Sequence, residues 1–203
     1  EWIDEQRKAP PLKLSQLNFR LRNDGDEHAM GLSARPPPEL GSSIELRAEL
    51  AGHSVAELKA WNGRLYAELG NTDLAAWQPW IDYPLDVGKA EGALRLWVTL
   101  LEGKLRRVAA DVALANVVAQ LGRDLPALNL ASVQGRLVAR NTPKGFELAT
   151  RALRFADPHG PVMQPTTLRL SIESPAGGAA MRGALTANLL ELTPLAHIAD
   201  SLP

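Results

Sequence analysis

Apolar and polar residues alternate one by one through most of this chain, and a period of two is the mark of a β-strand with one face turned to an apolar surrounding. The clearest case has Leu94, Leu96, Val98 and Leu100 on one side and Arg95, Trp97 and Thr99 on the other. Gly103 then marks a turn into a second alternating run over 106–114. The same pattern predicts strands over 12–21, 27–34, 43–50, 64–69, 130–140, 145–153, 166–174 and 180–189. Asn23-Asp24-Gly25-Asp26 and Asn141-Thr142-Pro143-Lys144-Gly145 have the residues of tight turns between neighbours. About ten strands joined in this way make an antiparallel meander.

On most of these strands one face is aliphatic: Val133 and Leu137; Phe146 and Leu148; Leu168, Leu170 and Ile172; Leu185, Ala187 and Leu189. The other carries Gln134, Arg136 and Arg140; Glu147 and Arg151; Arg169 and Ser171; Arg182, Thr186 and Asn188. A sheet apolar on one side must cover that side with helices, a second sheet or a ligand.

Three short segments break the alternation with a helical pattern. With Thr72, Asn116 and Thr193 as N-caps, apolar residues recur on one helix face at Leu74, Trp77 and Ile81; Val118, Leu121 and Leu125; Leu195, Ile198 and Leu202. Pro194 suits a first helical position, whereas Pro79 should kink or shorten the first copy. The resulting strand–helix copies lie near 64–83, 105–126 and 182–203, and the last two align without a gap at Ala119/Ala196, Leu125/Leu202 and Pro126/Pro203. Their unequal spacing rules out a solenoid of one fixed period. The third copy reaches the last residue and the chain opens on Glu1, so 1–203 is expected to be a single β-groove segment of something longer.

Three short helices are too little to cover so many strands. The expected fold is therefore mainly β with short helices: a long curled antiparallel meander forming a groove or half-barrel, with helices covering edges or ends. Its interior is either a closed core or an open groove. The run Arg35-Pro36-Pro37-Pro38 and residues 175–178 read as connections, and 53–59 as a loose helical turn.

With 203 residues, 45% hydrophobic and 22% charged, the chain is long enough for a sizeable core. A formal charge of -1 removes any global electrostatic case for nucleic acid. The absence of cysteine excludes a thiol nucleophile, disulfides and thiolate metal sites. His28, His53, His159 and His197 are scattered with no metal-binding spacing, and no nucleophile elbow, phosphate loop or dinucleotide fingerprint occurs. Asp24-Gly25-Asp26-Glu27 lacks the pattern of a calcium loop, and Asp157-Pro158-His159-Gly160-Pro161 describes a turn before an active-site loop. Neither an enzyme, a metal site nor a cofactor is expected. No run of apolar residues is long enough to span a membrane, so any anchor lies outside this segment. Trp61, Trp77, Trp80 and Trp97 form either a core cluster or an interfacial anchor.

The motifs Trp61-Asn62-Gly63-Arg64-Leu65-Tyr66, Asp73-Leu74-Ala75-Ala76-Trp77 and Gly92-Ala93-Leu94-Arg95-Leu96-Trp97 with Gly103, preceded by Pro37-Pro38-Glu39-Leu40-Gly41 and Ile44-Glu45-Leu46-Arg47-Ala48, carry a family resemblance. The chain resembles the large AsmA-like proteins of the YhdP type, in the part just after their membrane-anchored N-terminal region, and the likeness extends to about Phe155. That resemblance implies an inner-membrane-anchored protein of the Gram-negative envelope with most of its chain in the periplasm. It also implies a long β-groove that conducts phospholipid toward the outer membrane and supports the permeability barrier. Its motifs are structural, and none is catalytic.

Lipid-facing candidates on the inner wall are Leu94, Leu96, Val98, Leu100, Leu137, Leu168, Leu170, Ile172, Leu185 and Leu189. The expected partners are phospholipid acyl chains and neighbouring β-groove segments of the same full-length chain. The rival reading is a non-catalytic structural or protein-interaction module with a closed core, and a hydrolase comes third.

Overall fold

The computed structural model describes residues 1–53, 59–83, 85–173 and 182–201. One antiparallel sheet of eleven strands contains β1 (Ser15–Asp24), β2 (Glu27–Arg35), β3 (Ser43–Ala51), β4 (Asn62–Asp73), β5 (Asp86–Leu101), β6 (Lys104–Gln120), β7 (Leu128–Thr142) and β8 (Gly145–Ala156) in chain order. Beside β8 lie β9 (Val162–Thr166) and β10 (Leu168–Glu173), and β11 (Arg182–Ala187) follows β10. β1 and β11 are the two outer strands, so the sheet is open and does not close into a barrel. Short turns at Gly25, Gly103 and Gly145 join three of the hairpins, each glycine having a positive φ that suits a reversal. No helix among the described residues is long and apolar enough to cross a membrane.

A line of irregularities crosses the sheet from β4 to β8. Asn71 (φ 43°), Asn116 (φ 51°) and Ala152 (φ 49°) take left-handed backbone inside strands, and the pairing register slips beside each of them. Gly92 and Gly135 sit opposite, at φ 148° and 145°, where a Cβ would lie 2.1 Å from the Ala113 carbonyl oxygen and 2.7 Å from the Leu153 Cα. The line ends where Thr167 divides β9 from β10; its hydroxyl accepts the Ala152 N–H at 3.3 Å, replacing a ladder bond. Bulges of this kind bend strands and raise their twist.

This line separates two regimes. On one side the apolar face bears the packed core. Leu74, Val87, Ala90, Val117, Ala119, Leu130, Phe155, Met163 and Ile198 form one buried cluster, and Leu12, Leu40, Ile44 and Trp77 form another. On the other side the second cluster still reaches Leu32, Leu46 and Leu69 of β2–β4, and beyond them the face continues without a second layer among the described residues.

The helical expectations fare unequally. The first segment is a 3-10 turn (Leu74–Trp77), capped not by Thr72 but by Asp73, whose carboxylate accepts the Ala75 N–H at 3.1 Å. Thr72 is instead buried and donates to the Leu40 carbonyl at 2.6 Å. The second segment is not a helix: β6 runs through Asn116 to Gln120, because Asn116 forms a bulge where a cap was expected. Leu121, half-buried, lies in the bend after it. The third is helix α1 (Leu192–Ile198), which begins after Glu191 rather than at Thr193. Leu202 and most of the helical turn expected over 53–59 lie outside the described residues. Trp77 and Ile198 face inward, at 5% and 7% exposure.

Candidate functional site

Strand pairing sets which side chains share a face, and it lines up the aliphatic residues of successive strands into rungs that run across the sheet. The longest rung is Leu21, Met30, Ala48, Leu65, Val98, Val108, Ala139, Leu148, Leu170 and Leu185, each directly paired with the next. Every member is apolar. A second rung, two residues along, joins Phe19, Leu32, Leu46, Ala67, Leu96, Ala110 and Leu137 before ending on Thr150. A third joins Ala34, Ile44, Leu69, Leu94 and Val112 to Gly135. Leu69 and Leu94 also touch the packed core, so these rungs lie on the same face as that core.

In the middle strands Leu65, Leu96, Val98, Val108, Leu148 and Leu170 are half-buried, whereas at the flanks Leu21 is 58% and Leu185 56% exposed. A half-buried aliphatic floor with no second layer is an apolar trough. At about 4.8 Å per strand its longest rung spans about 43 Å.

One end of the trough is stoppered. The indole N–H of Trp77 donates to the Leu40 carbonyl at 2.9 Å and to Thr72 Oγ1 at 2.8 Å, fixing the 3-10 turn against the loop before β3. Asp73 also accepts the Ala90 N–H at 3.1 Å, and Gln78 donates to the Val87 carbonyl at 2.7 Å. The N-terminal segment joins through Trp80, whose indole donates to the Pro10 carbonyl at 3.0 Å, and through the Arg7–Asp82 ion pair at 2.8 Å. Tyr83 donates to the Leu74 carbonyl at 3.0 Å, and burial pushes its hydroxyl up to about 12. From the other flank α1, whose Pro194 is also buried, adds Ile198 to the core that includes Phe155 and Met163, with Leu195 packed against it. No buried side-chain polar atom among the described residues lacks a partner.

The opposite edge of the trough, at the hairpin tips, is more polar. His28 stacks on Trp61 with ring centroids 5.1 Å apart, and its two nitrogens reach Asn23 at 2.9 Å and the Gly52 carbonyl at 3.1 Å.

Among the candidates named from sequence, Val98, Leu170 and Leu185 fall on the longest rung, Leu96 and Leu137 on the second, and Leu94 on the third. Leu100 pairs with Gly63, and Ile172 with Phe146 and Gly183, on the same face nearer the hairpin tips. Leu168 pairs with Ala187 at the lower end of β10. Leu189 is not brought onto this face by strand pairing: it follows the end of β11 and is 42% exposed. Sequence reasoning passed over the β1–β4 share of the floor (Phe19, Leu21, Met30, Leu32, Leu46 and Leu65), although each lies in a run with the same alternation.

The tryptophans divide. Trp77 and Trp80 belong to the stopper, with ring centroids 5.9 Å apart, while Trp97 lies on the polar face between Tyr66 and the Arg136 guanidinium, 4.9 Å from its ring.

Comparison with curated proteins and with solved structures gives no match. A family model described as YhdP protein matches residues 1–203, the whole of the sequence, and so the chain belongs to the YhdP family.

Proposed function

We propose that this chain is a segment of an inner-membrane-anchored periplasmic protein that conducts phospholipid toward the outer membrane, its trough holding acyl chains without any catalytic step. The observation that carries this reading is the longest rung, apolar from Leu21 to Leu185 on a face with no second layer among the described residues. Covering an acyl chain there gains about 0.8 kcal/mol per methylene, enough to offset much of its withdrawal from a bilayer. The rung, about 43 Å long, exceeds the roughly 15 Å depth of one bilayer leaflet. A tail therefore finds equivalent floor on either side of any position. That favours sliding across the strands over capture at one point, and it is the behaviour a conduit needs.

Native mass spectrometry of the chain after incubation with phospholipid vesicles tests this. Adducts of whole phospholipid molecules are expected with the natural chain and should be lost in the folded Leu96→Asp/Val98→Asp double variant. No adduct, or equal adducts in both, would sink the reading.

A further inference from the structure

The face opposite the trough is polar, and its charge is unevenly spread. Across β3–β5 cations meet acids: Arg47 pairs with Glu45, Arg64 with Glu49 at 2.7 Å and Arg95 with Glu68 at 3.1 Å. Across β6–β10 the balance fails. Within the rows bounded by Arg107 and Arg154, the arginines at 107, 136, 140, 151, 154 and 169 stand against Asp111 and Glu147 alone.

The register sharpens this imbalance. Arg107 lies directly opposite Arg140, and Arg136 directly opposite Arg151. Like charges at such positions destabilise a sheet. Asp111 holds Arg136 through two bonds of 2.6 and 2.9 Å, and Glu147 holds Arg140. Among the described residues Arg154 reaches only the neutral amide of Gln134. Arg107, Arg151 and Arg169 are exposed and have no ion pair among the described residues. A lipid lying in the trough is on the other side of the sheet and cannot supply their counter-charge.

The arrangement has a shape as well as a sign. Between the Arg107/Arg140 row and the Arg136/Arg151 row runs an uncharged row of Ala109, Val138 and Ala149, paired in order across β6, β7 and β8. The two cationic rows are four residues apart along the strand, about 13 Å. Arg169 stands beside Ala149 at the end of the uncharged row.

We propose that this face docks an acidic polypeptide segment, laid extended along the uncharged row, over the half-buried Val138 and Ala149 and past the buried Ala109. An extended chain sends successive side chains to opposite sides, so alternate carboxylates reach the two arginine rows, where guanidinium forks bind carboxylates in pairs of hydrogen bonds. An anionic bilayer has no such two-sided order to match the uncharged strip. The proposal does not depend on what the trough carries.

The test is fluorescence anisotropy of a labelled deca-glutamate peptide titrated with the 203-residue chain at low and high salt. A deca-glutamine peptide and phosphatidylglycerol vesicles serve as comparisons. Deca-glutamate should bind, weaken with salt, and lose about tenfold in affinity in the Arg107→Gln/Arg151→Gln/Arg169→Gln variant. That variant should melt no lower than the natural chain, since it relieves two like-charge pairs. Arg47→Gln/Arg64→Gln on the balanced half should leave affinity unchanged. If the triple variant does not fold, the three single variants are measured instead, each expected to lose about twofold to threefold. Deca-glutamate binding no tighter than deca-glutamine, or binding indifferent to these arginines, overturns the proposal. So does arginine-dependent binding to the vesicles without binding to the peptide.

Discussion

Replacing Leu96 by aspartate asks directly whether the trough is wet. Leu96 lies on the second rung between Ala67 and Ala110, half-buried and above the line of bulges. On an open face the new carboxylate keeps its water, so the loss is confined to apolar contact and strand preference. Half of a leucine's burial is about 1 kcal/mol, and the poor strand propensity of aspartate adds up to about 1 more. A total of about 2 kcal/mol lowers the melting temperature of a chain this size by roughly 4–8 °C and keeps unfolding cooperative. Leu130, at 6% exposure in the stoppered end, is the counterpart. Leu130→Asp places an unpaired carboxylate in a dry cluster at a cost of about 5 kcal/mol or more, a large share of typical domain stability. Thermal melts of the natural chain and the two variants, followed by far-ultraviolet circular dichroism, compare the costs. Equal loss of cooperativity in both variants would refute the reasoning, because it would mean that Leu96 is sealed from water as fully as Leu130.

Gly92→Ala should cost about 3 kcal/mol or more in urea melts, since its Cβ meets the Ala113 carbonyl at 2.1 Å in a backbone that side chains avoid, whereas Gly31→Ala, with open space around it, should cost under about 0.5. Ala152→Gly should stabilise by about 1 kcal/mol in the same assay, because alanine at φ 49° bears a strain that glycine does not. Trp77→Phe should cost about 2 kcal/mol and loosen the stopper, read as faster hydrogen exchange of the Ala75 and Ala90 amides, since the indole bonds to Leu40 and Thr72 are lost. Tyr83 is neutral in the folded chain to about pH 12 but ionises near 10 when unfolded. Its contribution is therefore complete below pH 10 and falls as pH rises from 10 to 12, so melting curves of Tyr83→Phe should show a shallower alkaline decline than the natural chain.

The floor of the trough was legible because strands such as β5 follow strict alternation and their hairpins carry recognisable turn residues; once the turns fix the register, the rungs follow. What could not be read is what happens where alternation slips. Around Asn116 the spacing Val118, Leu121, Leu125 imitates a helical stripe. In the fold, a left-handed asparagine inserts one residue into β6, and the buried positions become Val117 and Ala119. Asparagine favours both helix caps and left-handed bulges, so the residue type alone does not distinguish them. At Thr72 the pattern was sound but off by one, because Thr72 is drawn inward by the Leu40 carbonyl and Asp73 caps instead. β9 escaped notice because it lies between the turn read at 157–161 and the strand expected from 166, and its Pro165 breaks the strand signal; proline is tolerated there in a short strand that pairs with β8 alone. The arginine surplus on the far face was invisible in a net charge of -1, because acids elsewhere cancel it.

The line of bulges has a consequence for how the chain encodes two environments in one strand. On β6 the inward positions are even-numbered from Val108 to Leu114 and odd-numbered at Val117 and Ala119; on β7 they are odd from Val133 to Ala139 and even at Leu128 and Leu130. Ala115 and Asn116, and Ala131 and Ser132 alongside them, are consecutive exposed residues where the two strands change phase together. Each strand thus carries two binary messages in different reading frames, one for a dry plug and one for a bare floor. The two messages meet at Leu114 and Val133, which are written in the floor's frame yet pack against the core, and a hairpin that repeats only the second message adds width to the floor without having to restate the first.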